Sequence, residues 1–120
     1  MSRYADGFVI PVPAAKLSAY RRMAVVARKV WMEHGALQYV ESVLDDSAEE
    51  CGIPFPTLLK PKKGETVVFA WILFKSRAHR DRVNAKAMAD PRLARSMVGK
   101  ALPFDARRMS YGGFQVMVEG

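Results

Sequence analysis

The chain is 120 residues long, the size of one domain and enough for a genuine hydrophobic core. Half of its residues are hydrophobic and 26% are charged, the balance of a soluble globular protein rather than a disordered or membrane-spanning one. The formal charge of +7 favours encounters with phosphates, anionic metabolites or acidic proteins without specifying any of them.

A single cysteine, Cys51, excludes an internal disulfide framework and fits a reducing compartment. The first residues lack the basic, apolar, small-residue pattern of a signal peptide. The longest apolar run, Val67 to Phe74, is far too short to span a bilayer. The expectation is a cytoplasmic protein with no membrane partner.

YADGFVIPV, from Tyr4 to Val12, reads as a strand that ends at prolines, with Pro13 suited to the first turn of a helix. KLSAYRRMAVVARKVWMEH follows as that helix, and Gly35 supplies its stop. Leu17, Tyr20, Ala24, Ala27, Trp31 and His34 recur at spacings of three and four, so they share a stripe that must lie on something apolar, while Arg22 and Lys29 point away. ALQYVESVLDD, Ala36 to Asp46, alternates as a second strand. The connection from Ser47 to Gly64 carries three prolines and is read as irregular, with TLL as a short extended piece.

ETVVFAWILF is the strongest strand. Val67, Phe69, Trp71 and Leu73 line one face; Val68, Ala70, Ile72 and Phe74 line the other. Both faces are apolar, so both need cover. FKSRAHRDRVNAKAMADPR then gives a second helix, broken near Asp90-Pro91, with Pro91 opening a short helical turn. PFDARRMSYGG is read as a loop with a turn at Gly112-Gly113, and FQVMVE as the last strand.

The order is β-α-β-β-α-β, the ferredoxin-like arrangement, an α+β fold with a four-stranded antiparallel sheet whose first and third strands are central. Two helices cover one face only. A second copy packing sheet against sheet is the economical cover for the other, with Phe69, Trp71, Ile72 and Phe74 as the interface candidates. One domain spanning residues 1–120 and a homodimer are therefore predicted.

Four strings, YADGFVIPVP, VWMEHGALQYVE, ETVVFAWILFKSRAHRDRVNAKAMADPRL and PFDARRMSYGGF, resemble the YbaA-like family of bacterial proteins, the domain of unknown function 1428. The resemblance runs over nearly the whole chain. It implies a dimeric α+β barrel, in which two ferredoxin-like sheets face each other. It transfers no reaction and no catalytic residues.

On the second helix, Val83, Ala87 and Met88 define the apolar side at 100° per residue, and Arg80 and Asn84 fall between them, with His79 at the flank. Polar groups turned inward need partners. Asp6, Glu41, Asp45 and Asp46 are the acidic candidates for an ion pair with Arg80. The competing reading has Arg80 and Asn84 hold an anionic or carbonyl-bearing ligand in a cleft. Arg77, Arg82 and Lys86 are read as a solvated rim.

His34 ends the first helix, where it caps carbonyls or, beside Trp31, serves as a general acid or base. Analogy with the pockets of dimeric α+β barrels points to Trp31, His34, Trp71 and Asn84 as pocket lining, and His79 and Arg80 of the second helix complete the pocket candidates. No metal site or cofactor is expected. His34 and His79 lack ligand spacing, one cysteine makes no zinc site, and Asp45-Asp46 with Glu49-Glu50 reads as a solvated acidic cluster. Cys51 follows SAEE, which disfavours a thiolate. No GxSxG, phosphate loop or dinucleotide fingerprint occurs.

An RNA-binding sheet would interleave basic residues with aromatics, and ETVVFAWILF has none, so nucleic acid is the disfavoured partner. The reading reached from the sequence is a cytoplasmic homodimer that binds a small organic or anionic ligand between sheet and helices. Its first alternative is a non-catalytic structural or interaction module. RNA binding through the basic helices ranks last.

Overall fold

A computed structural model describes residues 2–47, 51–97 and 102–120 of the chain. Glu49 and Glu50, half of the acidic cluster noted above, lie outside the described residues. The first strand, β1, is Tyr4–Pro13, and a 3-10 turn at Ala14–Lys16 leads into α1, Leu17–Glu33. There follow β2 at Gln38–Val43, α2 at Phe55–Leu59, β3 at Glu65–Phe74, α3 at Arg77–Met88, α4 at Pro91–Met97 and β4 at Ser110–Gln115. The strands form one four-stranded sheet in the order β2-β3-β1-β4, every neighbouring pair antiparallel. The architecture is α+β.

The two ten-residue strands, β1 and β3, occupy the centre and pair along their full length, from Tyr4 opposite Phe74 to Pro13 opposite Glu65. Two prolines in a central strand need an explanation, since neither donates to a ladder. Pairing with β4 runs only from Tyr4 to Val9, so Pro11 and Pro13 sit where β1 has no neighbour on that side.

Alternation assigns the faces. Ile10, Val12, Val68 and the α1 residue Tyr20 form one buried cluster, with Leu17, Met23 and Ala24 packed against it. Ala36, Ile72, Phe74 and the α3 residue Val83 form another, flanked by Trp31 and Tyr39. The even-numbered positions of β1 and β3 thus face α1 and α3. Side chains alternate strictly along a strand, so the odd-numbered ones face the other way.

That arrangement corrects one expectation about the interface. Ile72 and Phe74 are 5% and 0% exposed because α1 and α3 already cover them, so they are not free to meet a second copy. Phe69, at 40%, and the half-buried Trp71 are on the opposite face.

Local chemistry explains where elements begin and stop. Ser76 caps α3 by accepting the His79 backbone N–H at 3.1 Å. The α1 helix ends at His34, and Gly35 follows at φ +116°, a conformation that L side chains rarely adopt. Val30 joins Tyr20 as a buried residue of α1.

Several local features differ from the sequence reading. The stretch containing TLL is helical, not extended; Pro56 sits in the first turn of α2, where its missing N–H is no loss, and Lys60 closes it in the left-handed region. Gly112-Gly113 is not a turn but the middle of β4, which ends at Gln115. The glycines serve close approach: the Phe114 ring lies over Gly7 and Gly112, 3.5 Å from where either would carry a Cβ, and Tyr4 packs on Gly113. Met88, expected on the apolar side of α3, is 70% exposed, because the helix ends there and the chain turns away through Ala89.

Candidate functional site

Among the described residues Asp6 is the one charged residue in the buried core, 5% exposed on the helix-covered face of β1. A carboxylate there requires partners. Arg80 comes up from α3 and donates to its Oδ1 at 2.6 Å, while its Nε donates to Asp81 at 2.8 Å. The Arg80 guanidinium also lies 4.8 Å from the centre of the Tyr4 ring, a cation–π arrangement. One turn on, Asn84 sends its amide N–H towards Asp6 Oδ2 at 3.4 Å and accepts the Trp31 indole N–H at 2.9 Å. One chain of contacts therefore ties α1 to α3 to β1.

Of the four acidic positions weighed as partners for Arg80, Asp6 takes it. Glu41 is engaged elsewhere. On β2 its carboxylate accepts the Tyr39 hydroxyl at 2.7 Å on one oxygen and the Tyr20 hydroxyl on the other. Burial, reinforced by Glu41, pushes both phenols far above the usual tyrosine range, so each stays a donor.

His34 is the C-cap residue of α1, and its ring is engaged by an acid. Its Nε2 lies 2.8 Å from Asp90 Oδ2, at the start of α4. Asp90 in turn accepts the backbone and side-chain N–H groups of Arg92, whose guanidinium continues to Glu33 at 3.0 Å. Arg92 first, and His34 after it, hold the Asp90 carboxyl well below the ordinary carboxylate range. This cluster fastens the end of α1 to the start of α4.

His79 stands apart from both networks. Its Nδ1 accepts the Lys75 backbone N–H at 2.9 Å, and its ring meets Phe74 edge-on. Burial, then the charges of Lys75, Arg82 and Lys86, lower its pKa below the usual histidine value.

Trp71 is on the far face of the sheet from Trp31 and Asn84. Its indole N–H donates to Gln38 at 3.1 Å, and its ring lies 5.6 Å from Phe69. The six pocket candidates therefore separate: Trp31, Arg80 and Asn84 come together, whereas His34, His79 and Trp71 each go elsewhere. On the Trp71 face, α2 covers one end of the sheet, where Phe55 stacks on Phe69 with ring centres 6.1 Å apart. At the other end Phe114 is 62% exposed.

A cleft of about 640 Å³ opens between the sheet and the beginning of α3. Tyr4, Gly113 and Gln115 form its sheet side, and Ser76, Arg77 and Ala78 its helix side. Arg77, read from the sequence as rim, is a wall of this cleft. The sequence offered no signal for it, because the wall needs β4 beside β1 and α3 crossing their ends.

The fold and these networks define an α+β protein with a four-stranded antiparallel sheet, layered with helices on one face and a short helix at one end of the other. The chain belongs to the family described as Protein of unknown function (DUF1428), whose model matches residues 3–106. It is 42% identical over 117 residues to the "Uncharacterized protein YbaA" of Escherichia coli strain K12, covering 98% of each chain. The same identity and coverage hold for the proteins of that name in Escherichia coli O157:H7 and Shigella flexneri. Among the described residues no helix is long and apolar enough to cross a membrane.

Proposed function

We propose that the protein acts as a cytoplasmic homodimer of single-domain, ferredoxin-like protomers that pair sheet against sheet as a dimeric α+β barrel, forming an interaction module without turnover at Arg80 or Asn84. The observation that carries this reading is the sheet face bearing Phe69, Trp71 and Phe114. On it α2 roofs one end, and 40% of Phe69 and 62% of Phe114 stay exposed. Large apolar side chains gathered on one face favour burial against a partner. A copy of the same face is self-complementary under two-fold symmetry. The β2-β3-β1-β4 order supports the ferredoxin-like assignment. Arg80 and Asn84 are already engaged by Asp6 and Trp31, which supports a structural role for them.

Analytical ultracentrifugation tests the dimer. The 13.4 kDa chain should sediment at twice its mass at micromolar concentration, and Phe69→Asp should return it to a folded monomer. A monomeric wild type sinks the proposal.

A second reading, the binding of a small anionic organic ligand, is favoured by the cleft beside Arg77. Its volume of about 640 Å³ falls within the usual range for ligand pockets, and Arg77 lines it together with Ser76, Tyr4 and Gln115. Titration with small carboxylates and phosphates, followed by amide NMR, should shift residues 76–78 and 113–115 in the wild type and not in Arg77→Glu. Identical responses from the two proteins would rule the cleft out.

A further inference from the structure

Glu41 is half-buried on an edge strand and makes no ion pair with any cationic side chain among the described residues. Both of its oxygens are occupied by phenol donors, Tyr39 at 2.7 Å and Tyr20 at the other oxygen. A carboxylate offers about four lone-pair directions, and two hydroxyls use two of them. The surroundings are aromatic: the Tyr39 ring lies 6.4 Å from Trp31, and the Tyr20 ring meets Phe104 edge-on at 5.6 Å. The more buried carboxylates Asp6, Glu65 and Asp90 each have an arginine, at 2.6, 2.6 and 2.9 Å. Among the described residues Glu41 has no such partner.

We propose that Glu41, positioned by Tyr20 and Tyr39, is a recognition site for the ammonium group of a small primary amine. The ammonium would donate to the two lone-pair directions the phenols leave open and lie against aromatic rings, whose faces attract cations. The two phenols fix the carboxylate before the ligand arrives, which lowers the ordering penalty of binding. Their raised pKa values keep them protonated, so they remain donors rather than competing anions. Glu41 itself is only half-buried, and Val43, next on this face of β2, is 48% exposed. The site is on the helix-covered side of the sheet, so the inference is independent of the proposed dimer face and of the Arg77 cleft.

Amide NMR titration of the full chain with n-butylammonium chloride tests it, with n-butanol and tetramethylammonium as controls. The amine should give saturable shifts centred on residues 20, 39 and 41, with a dissociation constant of about 1 mM or tighter. Butanol lacks the charge and tetramethylammonium lacks N–H donors, so both should bind at least about tenfold more weakly. Glu41→Gln should lose about tenfold or more in affinity while the shifts at Arg77 and Trp71 stay as in the wild type. If Glu41→Gln fails to fold, Glu41→Asp, which withdraws the carboxylate by one methylene, takes its place with the same expected loss. No saturable shift up to about 10 mM, equal binding of butanol, or unchanged affinity in the variant each overturns the proposal.

Discussion

Arg80 holds Asp6 in a 2.6 Å ion pair between α3 and the centre of the sheet, with side chains 18% and 8% exposed. The pair sits under the Tyr4 ring and beside Asn84, so one arginine anchors a helix, a strand and an aromatic cover together. A buried pair of this kind adds little over a well-packed apolar pair, but breaking it from one side leaves a stranded charge.

Removing the arginine alone should therefore be the worst change at this site. Arg80→Met leaves Asp6 with Asn84 at 3.4 Å and should lower stability by about 3 kcal/mol in urea unfolding. The double variant Asp6→Leu with Arg80→Met should recover much of that loss. A double variant as unstable as the sum of its parts would mean that the two groups do not act as a pair.

Phe74 and Phe69 occupy the same strand on opposite faces, and truncation should separate their roles. Phe74→Ala, at a position 0% exposed, should cost about 3–5 kcal/mol of stability. Phe69→Ala should cost a small fraction of that in the isolated protomer and instead weaken self-association. Equal losses in thermal melts of the two variants would contradict the assignment of faces.

The pH dependence of His79 has a definite sign. Burial, followed by Lys75, Arg82 and Lys86, holds its folded pKa below the unfolded value of about 6.5. The folded chain thus binds this proton less readily than the unfolded one. The stability His79 contributes is complete above that unfolded value and fades as pH falls through the folded pKa. Protonating Nδ1 also breaks the 2.9 Å hydrogen bond from Lys75. A proton NMR titration of the His79 ring should show a midpoint under about 6.5. A midpoint above it would reverse the argument.

Gly113 should not tolerate a side chain while Tyr4 stays in place. A Cβ there would overlap the Tyr4 ring, against which the Arg80 guanidinium lies 4.8 Å from the ring centre. Gly113→Ala should lower the midpoint of urea unfolding by an amount equivalent to about 1–3 kcal/mol. Adding Tyr4→Leu should relieve part of the loss. An alanine variant as stable as wild type would show that the ring has room to move.

Much of the fold was legible because it depends on alternation and periodicity. Ten residues of β3 declare two apolar faces, and the 3–4 spacing of Leu17, Tyr20, Ala24 and Trp31 declares an inward stripe. The Gly112-Gly113 strand was not legible, because the ring that packs on Gly113 comes from Tyr4, more than a hundred residues away. The helix at Phe55–Leu59 was hidden by prolines that also suit irregular chain.

The site followed the same division. That Arg80 turned inward and needed an acid could be read from helix geometry, yet four carboxylates met that need equally well. Choosing Asp6, and committing Glu41 to two tyrosines, took the register of β1 against β3 and the placement of α1 over β2. By itself the sequence determined the elements, their order and which side chains seek burial, since those depend on neighbours a few bonds away. Only the tertiary structure decided which charges meet, that Trp71 and Trp31 lie on opposite faces, and where a cleft opens. Those depend on distances between segments that no local pattern encodes.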